Sequence, residues 1–269
     1  MCTIVLLRRP DHPWPLLFAG NRDEMADRPW QSPGRHWPDR PEVTAGQDQL
    51  SHGSWLGVND HGVLAVVLNR WGTLGPAIGK RSRGELVLDA LDFADAGDAA
   101  AALRQLNPQA YRSFNLVIAD NQEAFWIRHD AAAGDRLDCQ AIPEGLSMLT
   151  AHDLNDPSSP RIQNYLDRFR TAPAPQPDPL AEDGGDWRAW QALLASRQRD
   201  QADDPGSAMT VDYENGFRTV SSALIALPAP GLTLAGSVAE NPLSDAQAPP
   251  LWLFAPGRPD QQGFQRIDL

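Results

Sequence analysis

Residues 53–68 read GSWLGVNDHGVLAVVL, and this segment carries the strongest signal for how the chain folds. Two apolar, β-prone runs flank Asn59-Asp60-His61, which has the length and the residue types of a hairpin turn. The second run, residues 63–68, is apolar at every position, whereas a strand with one face in water alternates apolar and polar residues. The segment therefore predicts an antiparallel hairpin whose second strand is covered on both faces.

Further β-rich runs precede and follow this hairpin, separated by Gly, Pro, Asn and Asp turn signals. They cover residues 3–7, 16–19, 113–119, 123–128, 136–141, 146–150, 219–227, 232–238 and 250–254. Helical spacing of apolar residues predicts helices after the capping-box sequence Ser82-Arg83-Gly84-Glu85, at 99–106, around 162–169 and around 187–194. Strands, helices, strands, helices and strands in this order, with mostly antiparallel connections, predict an α+β fold. The economical architecture is a four-layer α/β/β/α sandwich of two mainly antiparallel sheets.

Length and charge limit the domain count and the partners. The chain has 269 residues, 42% of them hydrophobic, which is enough for a sizeable core. We expect one domain over residues 1–269, with exposed loops near 171–185 and 199–208, where Pro, Gly and polar residues cluster. The net charge of −12 disfavours nucleic acid or an anionic membrane surface as the main partner. A local basic pocket remains open.

Targeting signals and ligand motifs are lacking in the sequence. No apolar run approaches the ~20 residues of a membrane span, and no secretory signal is visible, so we expect a cytoplasmic protein without a membrane span. Cys2 and Cys139 have no CxxC partner, and the six histidines are scattered. We therefore expect no disulfide, no metal site and no cofactor.

Cys2 directly follows Met1, so removal of Met1 would place a thiol and a free α-amine on one residue. These groups titrate near ~8.5 and ~8, and catalysis by a terminal residue uses the amine as the base that activates the nucleophile. Cys2 is accordingly a candidate nucleophile. The alternative is a small apolar residue that opens the first strand.

A dense polar cluster, Asn21-Arg22-Asp23-Glu24, follows the second predicted strand. In a hairpin, the end of the second strand lies beside the start of the first, so this cluster is within reach of Cys2. An arginine there would lower the pKa of the thiol, and a carboxylate could hold the α-ammonium. The alternative is a solvated strand end with Arg22 and Glu24 paired at the surface.

Several motifs together are similar to the NRDE family, the family of transport and Golgi organisation protein 2. They are Met1-Cys2-Thr3-Ile4, Asn21-Arg22-Asp23-Glu24 followed by Arg28-Pro29, Gly53-Ser54-Trp55-Leu56-Gly57, Asn69, Ser82-Arg83-Gly84-Glu85-Leu86-Val87 and Phe114-Asn115-Leu116. The matches cover most of the chain and are strongest in residues 1–120. Each motif alone is weak, but the combination is specific.

The family in turn resembles cysteine N-terminal nucleophile hydrolases of the penicillin acylase and bile salt hydrolase type, whose fold is also an α/β/β/α sandwich. The resemblance implies that Cys2 attacks a carbonyl, that Arg22 and Asp23 support it, and that Asn69 helps to form the oxyanion hole. It implies hydrolysis of a non-peptide C–N bond in a small-molecule amide or acyl substrate.

The sequence departs from the hydrolase pattern at the polar cluster. The hydrolases separate the Arg and the Asp by two residues, whereas Arg22 and Asp23 are adjacent. On a regular strand their side chains point to opposite faces. Only one of them, or Asn21 with Glu24, would then reach the site.

The sequence gives weaker signals for the other candidate binding residues. A second Asn is expected later in the chain, where His152 or Asn155 is a candidate substitute. Arg218 matches an expected late arginine but could equally be a surface charge at a strand edge. Trp71, which follows Asn69 and Arg70, is the tryptophan that we expect near a binding site.

The family resemblance also supports a second hypothesis. Its eukaryotic members are linked to haem handling and to lipid or acyl-CoA metabolism. A non-catalytic protein that binds or carries haem or a lipid/acyl-CoA on the same scaffold is therefore the alternative to a hydrolase. The two hypotheses differ at the terminus, since a catalyst needs a free amine on Cys2 and a carrier does not.

Overall fold

The computed structural model describes residues 2–134, 136–199, 205–234 and 247–269. Strands β1 to β8 are Thr3–Arg8, Leu16–Met25, Trp30–Gly34, Val43–Asp48, Leu56–Asn59, Leu64–Asn69, Phe114–Ala119 and Ala124–His129. Strands β9 to β15 are Leu137–Ala141, Gly145–Leu149, Gln176–Pro177, Gly185–Asp186, Phe217–Leu227, Leu251–Ala255 and Gln265–Arg266. Helices α1 to α4 are Gly84–Leu91, Ala96–Leu103, Pro160–Thr171 and Arg188–Leu194. Met1, part of the predicted strand at 232–238 and part of the predicted loop at 199–208 lie outside the described residues.

The chain divides into two compact units, Met1–Asp27 with Glu144–Leu269, and Arg28–Pro143. The first unit contains a six-stranded sheet in the order β10-β1-β2-β13-β14-β15 and the two-stranded ribbon β11-β12. The second unit contains a seven-stranded sheet in the order β3-β4-β5-β6-β7-β8-β9. Neighbouring strands of both sheets are antiparallel, which confirms the predicted α+β class with two mainly antiparallel sheets.

Helices α3 and α4 pack on one face of the six-stranded sheet. Val5 and Leu17 of the sheet share a buried cluster with Tyr165 of α3 and Trp190 of α4. Residues of the other face, such as Phe18, are buried too. Because β1 and β2 are apolar on both faces, a polar side chain in either strand needs a partner inside the protein.

The hairpin predicted from residues 53–68 is confirmed as β5 and β6, with Val58 paired to Leu64. Helices α1 and α2 cover one face of this second sheet, where their leucines and alanines share a buried cluster with strand residues such as Ala65. Helix α1 begins at Gly84, whose backbone packs against that of Gly53. A Cβ atom on Gly53 would lie 2.6 Å from the carbonyl carbon of Gly84.

The capping box predicted at Ser82 is wrong, although the helix itself is correct. The N-cap residue is Arg83, which makes no side-chain capping hydrogen bond, and the Ser82 hydroxyl accepts a hydrogen bond from Gly84 N at 3.2 Å. Glu85 instead pairs with Arg81. The helix therefore starts at Gly84, two residues after the predicted cap at Ser82.

Several strands were not predicted. Strand β2 continues to Met25, so the cluster at residues 21–24 lies inside the strand and not beyond its end. Strands β3 and β4 lack a clear apolar alternation, and the predicted loop at 171–185 contains the short ribbon β11-β12. Among the helices that the structure describes, none combines the length and the apolar character needed to cross a bilayer.

Candidate functional site

The start of β1 lies beside the polar end of β2. Thr3 pairs with Asn21 in the antiparallel ladder, and the Cys2 thiol donates to the carbonyl oxygen of Asp23, with a distance of 3.6 Å between sulfur and oxygen. Since β2 is central in its sheet, Asn21, Arg22 and Asp23 are all buried. The hairpin geometry thus brings the cluster to Cys2, as the sequence predicts.

Alternation along the two strands divides these side chains between the faces of the sheet. Asp23 continues the series of Leu17 and Ala19, which face helices α3 and α4. Cys2 and Arg22 belong to the opposite series. Asp23 therefore touches Cys2 through its backbone carbonyl, while its carboxylate is directed toward the helices.

The carboxylate of Asp23 is held by two residues that are not among the predicted site residues. Arg161 Nη1 donates to Asp23 Oδ2 at 2.9 Å, and Thr219 Oγ1 donates to Asp23 Oδ1 at 2.7 Å. Arg161 Nη1 also donates to the hydroxyl of Thr3, at 2.6 Å. The side chains of Arg161 and Asp23 are 1% and 0% exposed, so this ion pair is sealed from water.

A signal for Arg161 does exist in the sequence. Arg161, Tyr165 and Phe169 are spaced by four residues, and all three are buried on one face of α3. An arginine on an apolar helical face requires a buried counter-charge, because an unpaired charge is costly to bury. The signal for Thr219 is absent, since threonine is common in strands.

The surroundings of Cys2 do not activate its thiol in this structure. Burial raises the pKa of the Cys2 thiol, and the negative charge of Asp23 raises it further, whereas the amino terminus, the contact with the Asp23 carbonyl and Arg22 lower it. The net shift is upward. The expectation that an arginine lowers this pKa is right for Arg22 alone, but burial and Asp23 outweigh it.

The pKa of Asp23 is shifted the opposite way. Burial raises the pKa of this carboxyl, but the positive charges of the amino terminus and of Arg161, together with the hydrogen bonds from Thr219 and Arg161, lower it more, so the net shift is downward. Asp23 is therefore ionised at neutral pH. The residue whose backbone carbonyl contacts Cys2 therefore carries a fixed negative charge on its side chain.

The side chain of Asn21 connects β2 to neighbouring segments of the first unit. Its amide Nδ2 donates to the carbonyl oxygens of Leu194 at 2.9 Å and Met209 at 3.0 Å, and its Oδ1 accepts from Ser222 at 2.7 Å. These bonds tie β2 to the end of α4 and to the segment before β13. Glu24 is half-buried, and its Oε1 accepts from Met25 N.

The remaining candidates of the first unit lie apart from this network. Arg218 is exposed and stands opposite Glu24 in the ladder, a position that fits the alternative of a surface charge. The ring of His152 lies 3.4 Å from the hydroxyl of Ser158 within its own loop. Asn155 accepts from Met148 N at 2.7 Å, so it fastens the loop to β10.

Asn69 and Trp71 belong to the second unit. Asn69 is half-buried at the end of β6, and its amide makes no hydrogen bond within the described part of the chain. Next to it, Arg70 Nη1 donates to Asn115 Oδ1 at 2.9 Å, and the indole of Trp126 donates to the same oxygen at 3.1 Å. Arg70 also lies 3.4 Å from Asp130. An amide donor is thus available beside an ordered arginine.

Metal ligation has no candidate group in the part of the chain that the structure describes, because no three His, Cys, Asp or Glu side chains lie close enough together.

Comparison with known families gives a match that covers residues 1–224. The matching family is described as Transport and Golgi organisation 2. The chain belongs to this family. The match includes Cys2, the residues around Asp23, Asn69 and Arg161. A comparison with the curated proteins found no significant match.

Solved structures of amide hydrolases are similar in fold. A variant of the conjugated bile acid hydrolase from Clostridium perfringens superposes with a TM-score of 0.50 at 11% identity, over 100% of this chain and 97% of that chain. Penicillin V acylase from Agrobacterium tumefaciens gives a TM-score of 0.46 at 12% identity, over 95% and 83%. An N-acylethanolamine-hydrolyzing acid amidase ortholog from Caenorhabditis elegans gives 0.45 at 12% identity, over 93% and 98%. The likeness to the bile acid hydrolase shows a shared fold, which confirms the predicted fold class.

Proposed function

We propose that this protein is a cysteine N-terminal nucleophile hydrolase that cleaves a non-peptide C–N amide bond of a small molecule. The observation that carries the proposal is the anchoring of Asp23. Its carboxylate is sealed against Arg161 and Thr219, while its carbonyl oxygen contacts the Cys2 thiol at 3.6 Å. A buried charge is expensive to maintain, and this one belongs to the residue whose backbone carbonyl contacts the Cys2 thiol, which suggests a task beyond stability.

Removal of Met1 is the step that would activate the site. It would leave an α-amine on Cys2, whose ordinary pKa near ~8 suits a base that takes the thiol proton. The resulting ammonium would be attracted by the ionised Asp23. This would offset the burial that raises the pKa of the thiol in the present state.

The reaction then follows from the groups at hand. The thiolate of Cys2 attacks the amide carbonyl carbon and forms a tetrahedral intermediate whose oxygen carries the negative charge. The C–N bond breaks, the amine leaves with the proton from the α-ammonium, and the acyl group remains on Cys2 as a thioester. Water then attacks the thioester, releasing a carboxylic acid and restoring the thiol.

The test is the intact mass of purified protein before and after brief treatment with iodoacetamide at neutral pH, followed by a panel of small acyl amides. We expect loss of Met1, rapid alkylation of one cysteine, and turnover of at least one amide. Cys2→Ala should lose that turnover by several orders of magnitude. Cys139→Ala is the matched control and should keep it, because Cys139 lies at the half-buried edge strand β9. Equal activity in the parent and in Cys2→Ala would refute the proposal.

The raised pKa of the Cys2 thiol favours a second candidate. A protein of this fold with an inactive thiol could bind haem or a lipid/acyl-CoA without chemistry. Titration of the intact protein with haem and with acyl-CoA tests this candidate. Saturable binding that Cys2→Ala retains would support a carrier, and the absence of saturable binding would rule it out.

A further inference from the structure

The loop between β6 and α1, residues 70–83, exposes an unusual amount of apolar surface. Trp71 is 71% exposed, Leu74 is 49% exposed and Ile78 is fully exposed. Only six large apolar side chains are exposed among the described residues, and this loop holds three of them. Exposed large apolar side chains that gather in one segment of a folded protein mark an interaction site more often than scattered ones do.

The loop is tied down by backbone contacts and does not depend on its apolar side chains for order. Arg112 donates to the carbonyl oxygens of Leu74 at 2.7 Å and of Gly72 at 3.2 Å. Arg83 donates to the carbonyl oxygen of Thr73 at 2.9 Å, and the Thr73 hydroxyl donates to the Arg70 carbonyl at 2.8 Å. The backbone polar groups are therefore bound by the protein, while the apolar side chains face solvent.

Three glycines shape the loop into this form. Gly72, Gly75 and Gly79 have φ angles of +70°, +78° and +73°, in the left-handed region that favours glycine. None of them has another atom within 4 Å of the position where a Cβ would lie. A Cβ atom would therefore fit at these three positions. Glycine is favoured because of the positive φ angles of the turns, which present the apolar side chains.

The charge around the loop is positive in an otherwise acidic protein. Residues 61–84 contain no Asp or Glu but four basic residues, Arg70, Lys80, Arg81 and Arg83, and Arg112 lies against the same loop. The nearest sequence acid, Glu85, pairs with Arg81. The charge of the whole chain is −12, but salt screens charges beyond about 8–10 Å at physiological ionic strength. Glu85 and Asp130 neutralise part of this charge, since they pair with Arg81 and Arg70, but five basic residues against these two acids leave the loop with a net positive charge.

We infer that the β6–α1 loop docks the protein on an anionic lipid bilayer. Trp71, Leu74 and Ile78 enter the interface between headgroups and acyl chains, where tryptophan is enriched in membrane proteins. Lys80 contacts the lipid phosphates, and Arg81, which also pairs with Glu85, adds a second positive charge at the headgroups. The inference is independent of the hydrolase proposal, because it uses neither Cys2 nor Asp23.

Cosedimentation with lipid vesicles tests the inference. Vesicles of phosphatidylcholine alone are compared with vesicles of phosphatidylcholine and phosphatidylserine in equal amounts. We expect the intact protein to bind the anionic vesicles, more weakly as salt is raised, and the neutral vesicles far less. The variant with Trp71→Ala, Leu74→Ser and Ile78→Ser should lose binding by at least tenfold, and Lys80→Gln with Arg81→Gln by about tenfold.

The matched control is Leu50→Ser with Leu180→Ser, two exposed leucines outside the loop, which should bind like the parent. Circular dichroism and thermal unfolding establish that all variants are folded. Absence of binding to anionic vesicles, or equal binding by the loop variant, overturns the inference. Sedimentation velocity covers the remaining possibility, since self-association that the loop variant abolishes, without vesicle binding, would assign the loop to a second copy of the chain.

Discussion

Two polar networks, one in each unit, are built from similar parts and differ in their access to water. In the first unit Arg161 binds Asp23, and the two side chains are 1% and 0% exposed. In the second unit Arg70 binds the fully buried Asn115 and lies near Asp130, but Arg70 is 13% and Asp130 32% exposed. We call the first network closed, because water does not reach its charged groups. We call the second network open, because its charged groups, Arg70 and Asp130, are partly exposed to water.

This difference decides what each network can do. In the closed network water cannot replace a lost partner, so each group depends on the others for its charge state and position. In the open network water can take over part of the hydrogen bonding, so Arg70 and its neighbour Asn69 can adjust to a ligand. We therefore expect the first network to fix the end of β1 and the second to receive a bound group.

The largest expected effect is the loss of Arg161. Arg161→Met keeps most of the side-chain volume but leaves Asp23 without its buried counter-charge. We expect a decrease of about 3–5 kcal/mol in the free energy of unfolding, measured by urea denaturation. Arg170→Met is a control on the same helix, since Arg170 is an exposed partner of Asp167 and should contribute about 0–1 kcal/mol. Similar losses in both variants would show that the first network is not closed.

The pH dependence of stability is the next effect. The pKa of Asp23 is lowered in the folded state, so its charge stabilises the fold above its ordinary pKa of about 3.9. This contribution is lost as the pH falls through the lowered folded-state pKa. The difference in unfolding free energy between the parent and Asp23→Asn should therefore be largest near neutral pH and shrink on acidification. Asp167→Asn, which changes an exposed pair, should show a small difference throughout. An Asp23→Asn difference that is constant with pH would contradict the assignment.

Much of the fold could be predicted because local patterns and packing agree. The hairpin at residues 53–68 and the helix with Ile162, Tyr165 and Phe169 show clear periods of two and of 3.6 residues. Strand β4 has no such period, and β15 has two residues, so their pairing is decided by neighbouring strands.

The candidate site could be predicted only where its residues lie on two strands that follow each other along the chain. Cys2 and Asp23 meet because β1 and β2 form one hairpin. Arg161 and Thr219 reach Asp23 from 138 and 196 residues away along the chain, and no short motif records such contacts. The sequence also could not predict that the pKa of the Cys2 thiol is raised, because burial is the largest cause of the shift and depends on the folded structure.

The smallest effect is expected in the open network. Asn115→Ala removes the oxygen that accepts from Arg70 and from the indole of Trp126, but water can reach Arg70. We expect a loss of about 1–3 kcal/mol in unfolding free energy, less than for Arg161→Met. Asn115→Asp keeps an acceptor oxygen in place and adds a negative charge beside Arg70, so it should lose less than Asn115→Ala. If Asn115→Ala were as costly as Arg161→Met, the second network would be as closed as the first, and Arg70 would be a structural residue that cannot adjust to a ligand.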